Sequence, residues 1–253
     1  MPKRRAVKGD DVPPKRTKCY SMNNERHKEV SALIDSTFLL KCPPEFYEFY
    51  AFCCSIFPDS PLDALYRDIG IRLVGPFEVL HEPMKFKLDD DFTDCYRYFH
   101  DPPEMVTILA QDGENPFHVG YFRGDYADQP SFLVSSNPSE TGKLTISGRN
   151  IFATVLKLLV ESKTRSGSTL PSLSKLREFA KGRQICVDSR ASVDWKPTCE
   201  TLNGVGFKID LQNGVGYRPV PTTHSKFSTI VARTLSLFGM IVIAFGGYGC
   251  TLP

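Results

Sequence analysis

Asp210 is the last carboxylate side chain of the sequence, because no Asp or Glu occurs from residue 211 to Pro253. A hydroxyl nucleophile needs a positioned base to take its proton, and residues 211–253 hold no carboxylate side chain for that work. Nowhere does a nucleophile–base pair, a metal-ligand spacing or a nucleotide loop stand out, so an independent enzyme and a bound cofactor are not expected. The eight cysteines are Cys19, Cys42, Cys53, Cys54, Cys95, Cys186, Cys199 and Cys250, and they follow no disulfide or paired-ligand spacing. Reduced thiols in an intracellular protein are the expectation. Cys19 and His27 lack the further Cys and His that a zinc site requires, so no metal is expected. Asn203-Gly-Val-Gly-Phe207 and Asn213-Gly-Val-Gly-Tyr217 form a short repeat. No Gly-Lys-Ser/Thr follows either copy, so tight turns are expected there and not a phosphate cradle.

The net charge of +2 over 253 residues is unevenly spread. Residues 1–18 hold seven Lys/Arg against Asp10 and Asp11, a net +5, which leaves −3 for the remainder. Lys3, Arg4 and Arg5, a nine-residue gap, then Lys15 and Arg16 have the layout of a bipartite nuclear-import signal. Such clusters also bind nucleic acid without sequence preference by releasing counterions. A solvated tail without an address is the plainer reading.

The elements that must carry these groups follow in chain order. Residues 24–34 form a short helix with Val30, Leu33 and Ile34 on one side. Pro43 and Pro44 open a helix in which Phe46, Phe49, Tyr50 and Cys53 make a core-facing stripe. Ser60-Pro-Leu-Asp63 reads as a capped helix start running to Gly70. Residues 71–80 read as a strand interrupted by Gly75-Pro76. Met105–Ala110 and Phe117–Arg123 read as two strands joined by the turn Asp112-Gly-Glu-Asn115, the second strand covered on both faces. Residues 131–135 and 143–146 are strand-like, and Asn150 caps a helix carrying Phe152, Val155, Leu156 and Leu159 on one face. Residues 173–181 form a weaker helix.

Several of these stretches together resemble the histone PARylation factor family. The residues are Asp101-Pro102-Pro103-Glu104 with His118, Gly120, Tyr121, Phe122 and Arg123, the Leu-Val-Gly-Pro of residues 73–76, Gly148-Arg-Asn-Ile-Phe-Ala153, and Gly216-Tyr217-Arg218. They occur in the family's order over roughly residues 24–221. The resemblance implies an accessory factor that binds a nuclear poly(ADP-ribose) polymerase and histones. Such a factor completes the polymerase active site in trans and steers ADP-ribosylation to serine during DNA damage and repair. It implies a nuclear, chromatin-associated location, with poly(ADP-ribose) itself as a further partner. Cys19, Tyr20, Asn23 and His27 resemble only part of a poly(ADP-ribose)-binding zinc finger. By the match, Tyr217 and Arg218 lie at the joint active site, and a guanidinium suits an anionic dinucleotide or a carboxylate. The family's catalytic glutamate follows the Gly-Tyr-Arg segment and has no counterpart here, so no catalytic residue is assigned and impaired catalysis is expected.

The resulting fold expectation is α+β. A mixed N-terminal sheet flanked by helices over 23–162 follows a basic tail over 1–22. A linker over 163–175 and an incomplete C-terminal α+β domain over 176–225 come next. Residues 226–253 form a divergent apolar tail. Its sixteen uncharged residues, Leu235–Cys250, fall short of the ~20 needed to span a bilayer, so a divergent or truncated end is expected before a membrane anchor. The competing reading is a non-catalytic interaction module, because the Pro-Pro-Glu-Phe-Tyr helix and the sheet after it also resemble the Smi1/Knr4-like superfamily.

Overall fold

The computed structural model describes residues 25–88, 92, 94–114, 116–124, 128–167, 169–188, 193–217, 225–229 and 231–232. Two compact units divide between Lys208 and Ile209. The first unit is built on five strands in sequence order: β1 (Ile71–Leu73), β2 (Met105–Gln111), β3 (His118–Phe122), β4 (Phe132–Asn137) and β5 (Thr141–Gly148). The class is α+β. The sheet is antiparallel throughout and not mixed as expected, since every neighbouring pair is antiparallel. Short connections impose this on β2 to β5, because a parallel neighbour needs a crossover of a dozen or more residues.

One face of the sheet carries the helices α1 (Glu25–Phe38), α2 (Pro44–Ile56), α5 (Ile151–Ser166) and α6 (Pro171–Gly182). α2 is buried more widely than a single stripe: Phe46, Tyr47, Phe49, Tyr50, Ala51, Phe52 and Cys53 are all covered. That pattern marks a central helix. Phe49 meets Phe152 edge-on at 5.2 Å, and Phe179 of α6 stacks on Phe152 at 6.0 Å. A second apolar cluster covers the other sheet face, where Trp195 lies 5.8 Å from Phe122 and 5.1 Å from Phe132. The irregular segment 193–207 therefore closes the sheet from behind. Trp195 Nε1 donates to the Val205 carbonyl at 2.9 Å, and the Leu144 N–H of β5 donates to the Asn203 carbonyl at 2.8 Å.

Three stretches differ from their sequence reading, each for a local reason. Residues 71–80 give only the short β1, then the helix α4 (Pro76–His81). Gly75 turns at φ 59°, Pro76 opens the helix, and the Glu78 carboxylate reaches back to the Gly75 N–H at 3.3 Å. Capping outweighs the strand-like side chains. Ser60 does not cap; its hydroxyl donates to Asp63 Oδ2 at 2.7 Å. The chain there makes a 3-10 turn over Pro61–Asp63 and then the single-turn helix α3 (Tyr66–Ile69).

The third difference concerns the boundary drawn at residue 162, which falls inside α5. The segment 163–175 holds the last turn of α5 and the start of α6, and Leu173, Leu176 and Ala180 join the main core. Its small polar residues mislead because they sit on an exposed helix end. There Thr164 and Ser166 donate to the carbonyls of Val160 and Ser162, four residues back. The cap at Asn150 is as expected, with Oδ1 accepting from the Ala153 N–H at 2.8 Å.

The second unit is described at the hairpin of β6 (Asp210–Gln212) and β7 (Val215–Tyr217) and at helical residues 225–229 and 231–232. Among the described residues no helix is long and apolar enough to cross a membrane. The apolar stretch Leu235–Cys250 lies outside them.

Candidate functional site

The β6–β7 hairpin owes its shape to its turn. Asn213 at φ 51° and Gly214 at φ 77° are both left-handed, as a two-residue type I′ connection requires. The register pairs Asp210 with Tyr217, Leu211 with Gly216 and Gln212 with Val215. Gly216 gives room for Ile209, whose Cδ1 would stand 2.4 Å from an added methyl. All six strand residues are exposed, and Tyr217, the last residue of β7, keeps 51% of its surface open. The hairpin thus ends on an exposed phenol, with the Asp210 carboxylate residue directly across the ladder. Arg218 follows in the sequence and lies outside the described residues, as do Lys3, Arg4, Arg5, Lys15 and Arg16.

The remaining motif residues form an internal brace in the first unit. His118 Nε2 lies 2.8 Å from Asp101 Oδ1, and its Nδ1 lies 2.8 Å from the Pro116 carbonyl. Asp101 Oδ2 also accepts the Tyr98 N–H at 3.1 Å, and the Tyr98 ring lies over the imidazole at 4.2 Å. Arg123 donates to the carbonyls of Leu39 and, at 3.0 Å, Pro103, while its N–H donates to the Glu104 carbonyl at 3.0 Å. The Pro102 carbonyl accepts from the Met105 N–H at 3.0 Å and from Arg97 Nη1 at 2.8 Å. Gly120 is needed for closeness, since an added methyl would meet the Val106 carbonyl at 2.6 Å. Phe122 stacks on Phe132 at 5.3 Å. The signature residues therefore join the β2–β3 hairpin to the α1–α2 connection, and the side chains of Asp101 and His118 are closed to solvent.

Tyr121 and Glu45 belong to the same brace. The Tyr121 hydroxyl reaches Glu45 Oε1 at a long 3.5 Å. Burial pushes the Glu45 carboxyl up, against the lowering effects of its backbone hydrogen bond and of Tyr121. A carboxyl raised in the folded state supports stability fully below its unfolded value, and that support fades as pH rises through the folded one. Glu45→Gln stays neutral and should escape this loss. Its stability relative to the parent is expected to improve as pH rises above the ordinary glutamate range, which urea melts at several pH values would measure.

Cys42 and Cys53 are buried thiols pushed well up, chiefly by burial, and so are unsuited to nucleophilic work. Among the described residues no three His, Cys, Asp or Glu side chains gather as a metal would require. His27 instead meets Tyr47 edge-on at 4.3 Å. Sequence reading missed a cleft of about 1020 Å³ between the β4–β5 turn and the loop at 200–203, with Phe99 and Leu202 on its rim. The side-chain pattern announces neither, because both are exposed apolar residues outside any periodic element.

The chain matches the family model described as Histone PARylation factor 1 over residues 29–237. Histone PARylation factor 1 of Bos taurus is 32% identical over 211 residues, covering 78% of this chain and 61% of the relative. The Mus musculus protein of the same name is 31% identical over 225 residues, covering 83% and 63%. A Homo sapiens protein called putative histone PARylation factor 1-like is 28% identical over 225 residues, again covering 83% and 63%. The chain thus spans somewhat under two thirds of the length of these relatives.

Proposed function

The chain belongs to the histone PARylation factor family, and from that premise we propose that it is an accessory factor for a nuclear poly(ADP-ribose) polymerase acting on histones in the DNA damage response. It docks on the polymerase, presents Tyr217 and Arg218 to the joint active site, and directs modification toward serine. The observation that carries this reading is Tyr217, exposed at the end of a turn-fixed hairpin inside the span matched by the family, with Arg218 next in the chain. A guanidinium there can grip an anionic dinucleotide or a partner carboxylate with two parallel hydrogen bonds. It cannot take a proton at neutral pH.

No Asp or Glu side chain follows Arg218 in these 253 residues, so on this reading the chain recruits and positions the polymerase and brings no carboxylate base to the serine. Purified chain should capture a DNA-activated nuclear polymerase in a pull-down, and Arg218→Ala should weaken the capture. Equal, background-level recovery with both chains would remove the reading and favour an interaction module with other partners.

The basic tail supplies the address. Residues 3–16 fused to an import-competent reporter should concentrate it in nuclei, and changing Lys3, Arg4 and Arg5 to alanine should abolish the enrichment. An even distribution of the parent fusion between nucleus and cytoplasm would show that the cluster is only a solvated tail.

A further inference from the structure

In the first unit a half-open pocket of about 420 Å³ is walled by aromatic rings. Phe38, the last residue of α1, forms a buried wall, and Phe92 lies nearly parallel to it at 6.1 Å and 22°. Phe86 stands across Phe92 at 67° and 5.2 Å, so two ring faces meet close to a right angle. Tyr96 supplies a further wall. A methyl built on Gly75 would lie 3.5 Å from Phe38 and 3.6 Å from Tyr96, which brings these two rings together at one point. Phe86, Phe92 and Tyr96 are only partly buried.

Carboxylates set the sign of the pocket. Glu78 lines it, with Oε1 accepting the Tyr96 hydroxyl at 2.6 Å and Oε2 accepting the Gly75 N–H. Both ring and carboxylate are thereby held in place. Glu82 lines the mouth and pairs with Lys85 of the next short turn.

Three occupants can be weighed on this chemistry. An anion meets two carboxylates and the negative faces of the rings. A neutral apolar group would bury Glu78 and Glu82 further without compensating either. A cation with an apolar skirt satisfies rings and carboxylates together, which is the chemistry of an aromatic cage. Methyl groups on that cation fill more of the space and lower the cost of stripping its water. Met84, beside Lys85, is almost fully exposed and offers an apolar surface to a chain crossing the mouth.

We propose that this pocket is a cage for a methylated lysine side chain on a basic peptide segment. Lys85, tied to Glu82 at the rim, is the cation that the incoming ammonium displaces. The pocket would do this whether or not the chain engages a polymerase.

The test is calorimetric titration of the full chain with a short alanine–arginine peptide whose central residue is trimethyllysine, lysine or norleucine. The trimethyllysine peptide should bind about tenfold more tightly than the norleucine one, the factor that ~1.4 kcal/mol of cation–π attraction gives. Lysine should fall between them. Glu82→Gln, at the surface, should narrow the gap without lowering the melting temperature, and Phe92→Leu should nearly close it. Cys95 lines the pocket, so saturating trimethyllysine peptide should slow its alkylation by iodoacetamide and leave exposed Cys186 unaffected. Four results would each overturn the proposal. These are no saturable binding by any peptide, norleucine equal to trimethyllysine, trimethyllysine no tighter than lysine, and equal protection of both cysteines.

Discussion

Mixed with a DNA-activated poly(ADP-ribose) polymerase and a histone peptide, the 253-residue chain should give serine-linked ADP-ribose at least about 100-fold below the yield from a full-length relative, the lower end of what a positioned general base contributes. The reason is that residues 211–253 carry no carboxylate side chain to act as the base. The β6–β7 hairpin holds Tyr217 open to solvent, and Arg218 follows it, but neither takes a proton from a serine hydroxyl at neutral pH. Asp210 is the carboxylate to watch. It pairs with Tyr217 across the ladder, and it is exposed. The assay must read serine-linked product directly, because self-modification of the polymerase on carboxylates would continue regardless. Robust serine-linked product that disappears in Asp210→Asn would mean that this aspartate substitutes for the absent glutamate, and the reading of impaired catalysis would be sunk.

Much of the fold could be read from local chemistry. The Asn150 cap, the aromatic stripe of α2 and the Asn213-Gly214 turn each carry their instruction in a few adjacent residues. Each is found where those residues are. What failed was decided by competition between local signals. Leu73-Val-Gly-Pro-Phe-Glu-Val-Leu80 has the side chains of a strand. A left-handed Gly75, a proline at the first helical position and a reaching Glu78 turn it into a helix. The polar stretch after residue 162 looks like a linker only while its hydroxyls are imagined in water. In the structure two of them bond back to their own helix. The aromatic pocket was not legible at all. Phe38, Glu78 and Phe92 belong to separate segments, and no spacing rule joins a helix end to a loop more than fifty residues away.

The motif residues are a different case, where sequence singles out side chains and only the structure shows what they hold together. Asp101 and His118 belong to the family signature, and their side chains are about 1% and 0% exposed. The Pro116 carbonyl can only accept, so Nδ1 carries a proton and donates to it. Nε2 faces an Asp101 carboxylate oxygen at 2.8 Å. The pair is a buried, fully directed link from the loop before β2 to the start of β3, with the Tyr98 N–H on the other carboxylate oxygen. Asp101→Ala strands that arrangement in a dry site. It should cost roughly 3–5 kcal/mol, as removal of one partner of a buried pair does. For a chain of this size that lowers the melting temperature by about 6–20 °C. Losing the imidazole as well removes the group left unsatisfied, so Asp101→Ala combined with His118→Ala should cost clearly less than the sum of the two single changes. Urea melts of the four proteins would measure this. Strict additivity, or a loss below about 1 kcal/mol for Asp101→Ala, which is typical of an exposed ion pair, would mean that the link is not a structural brace.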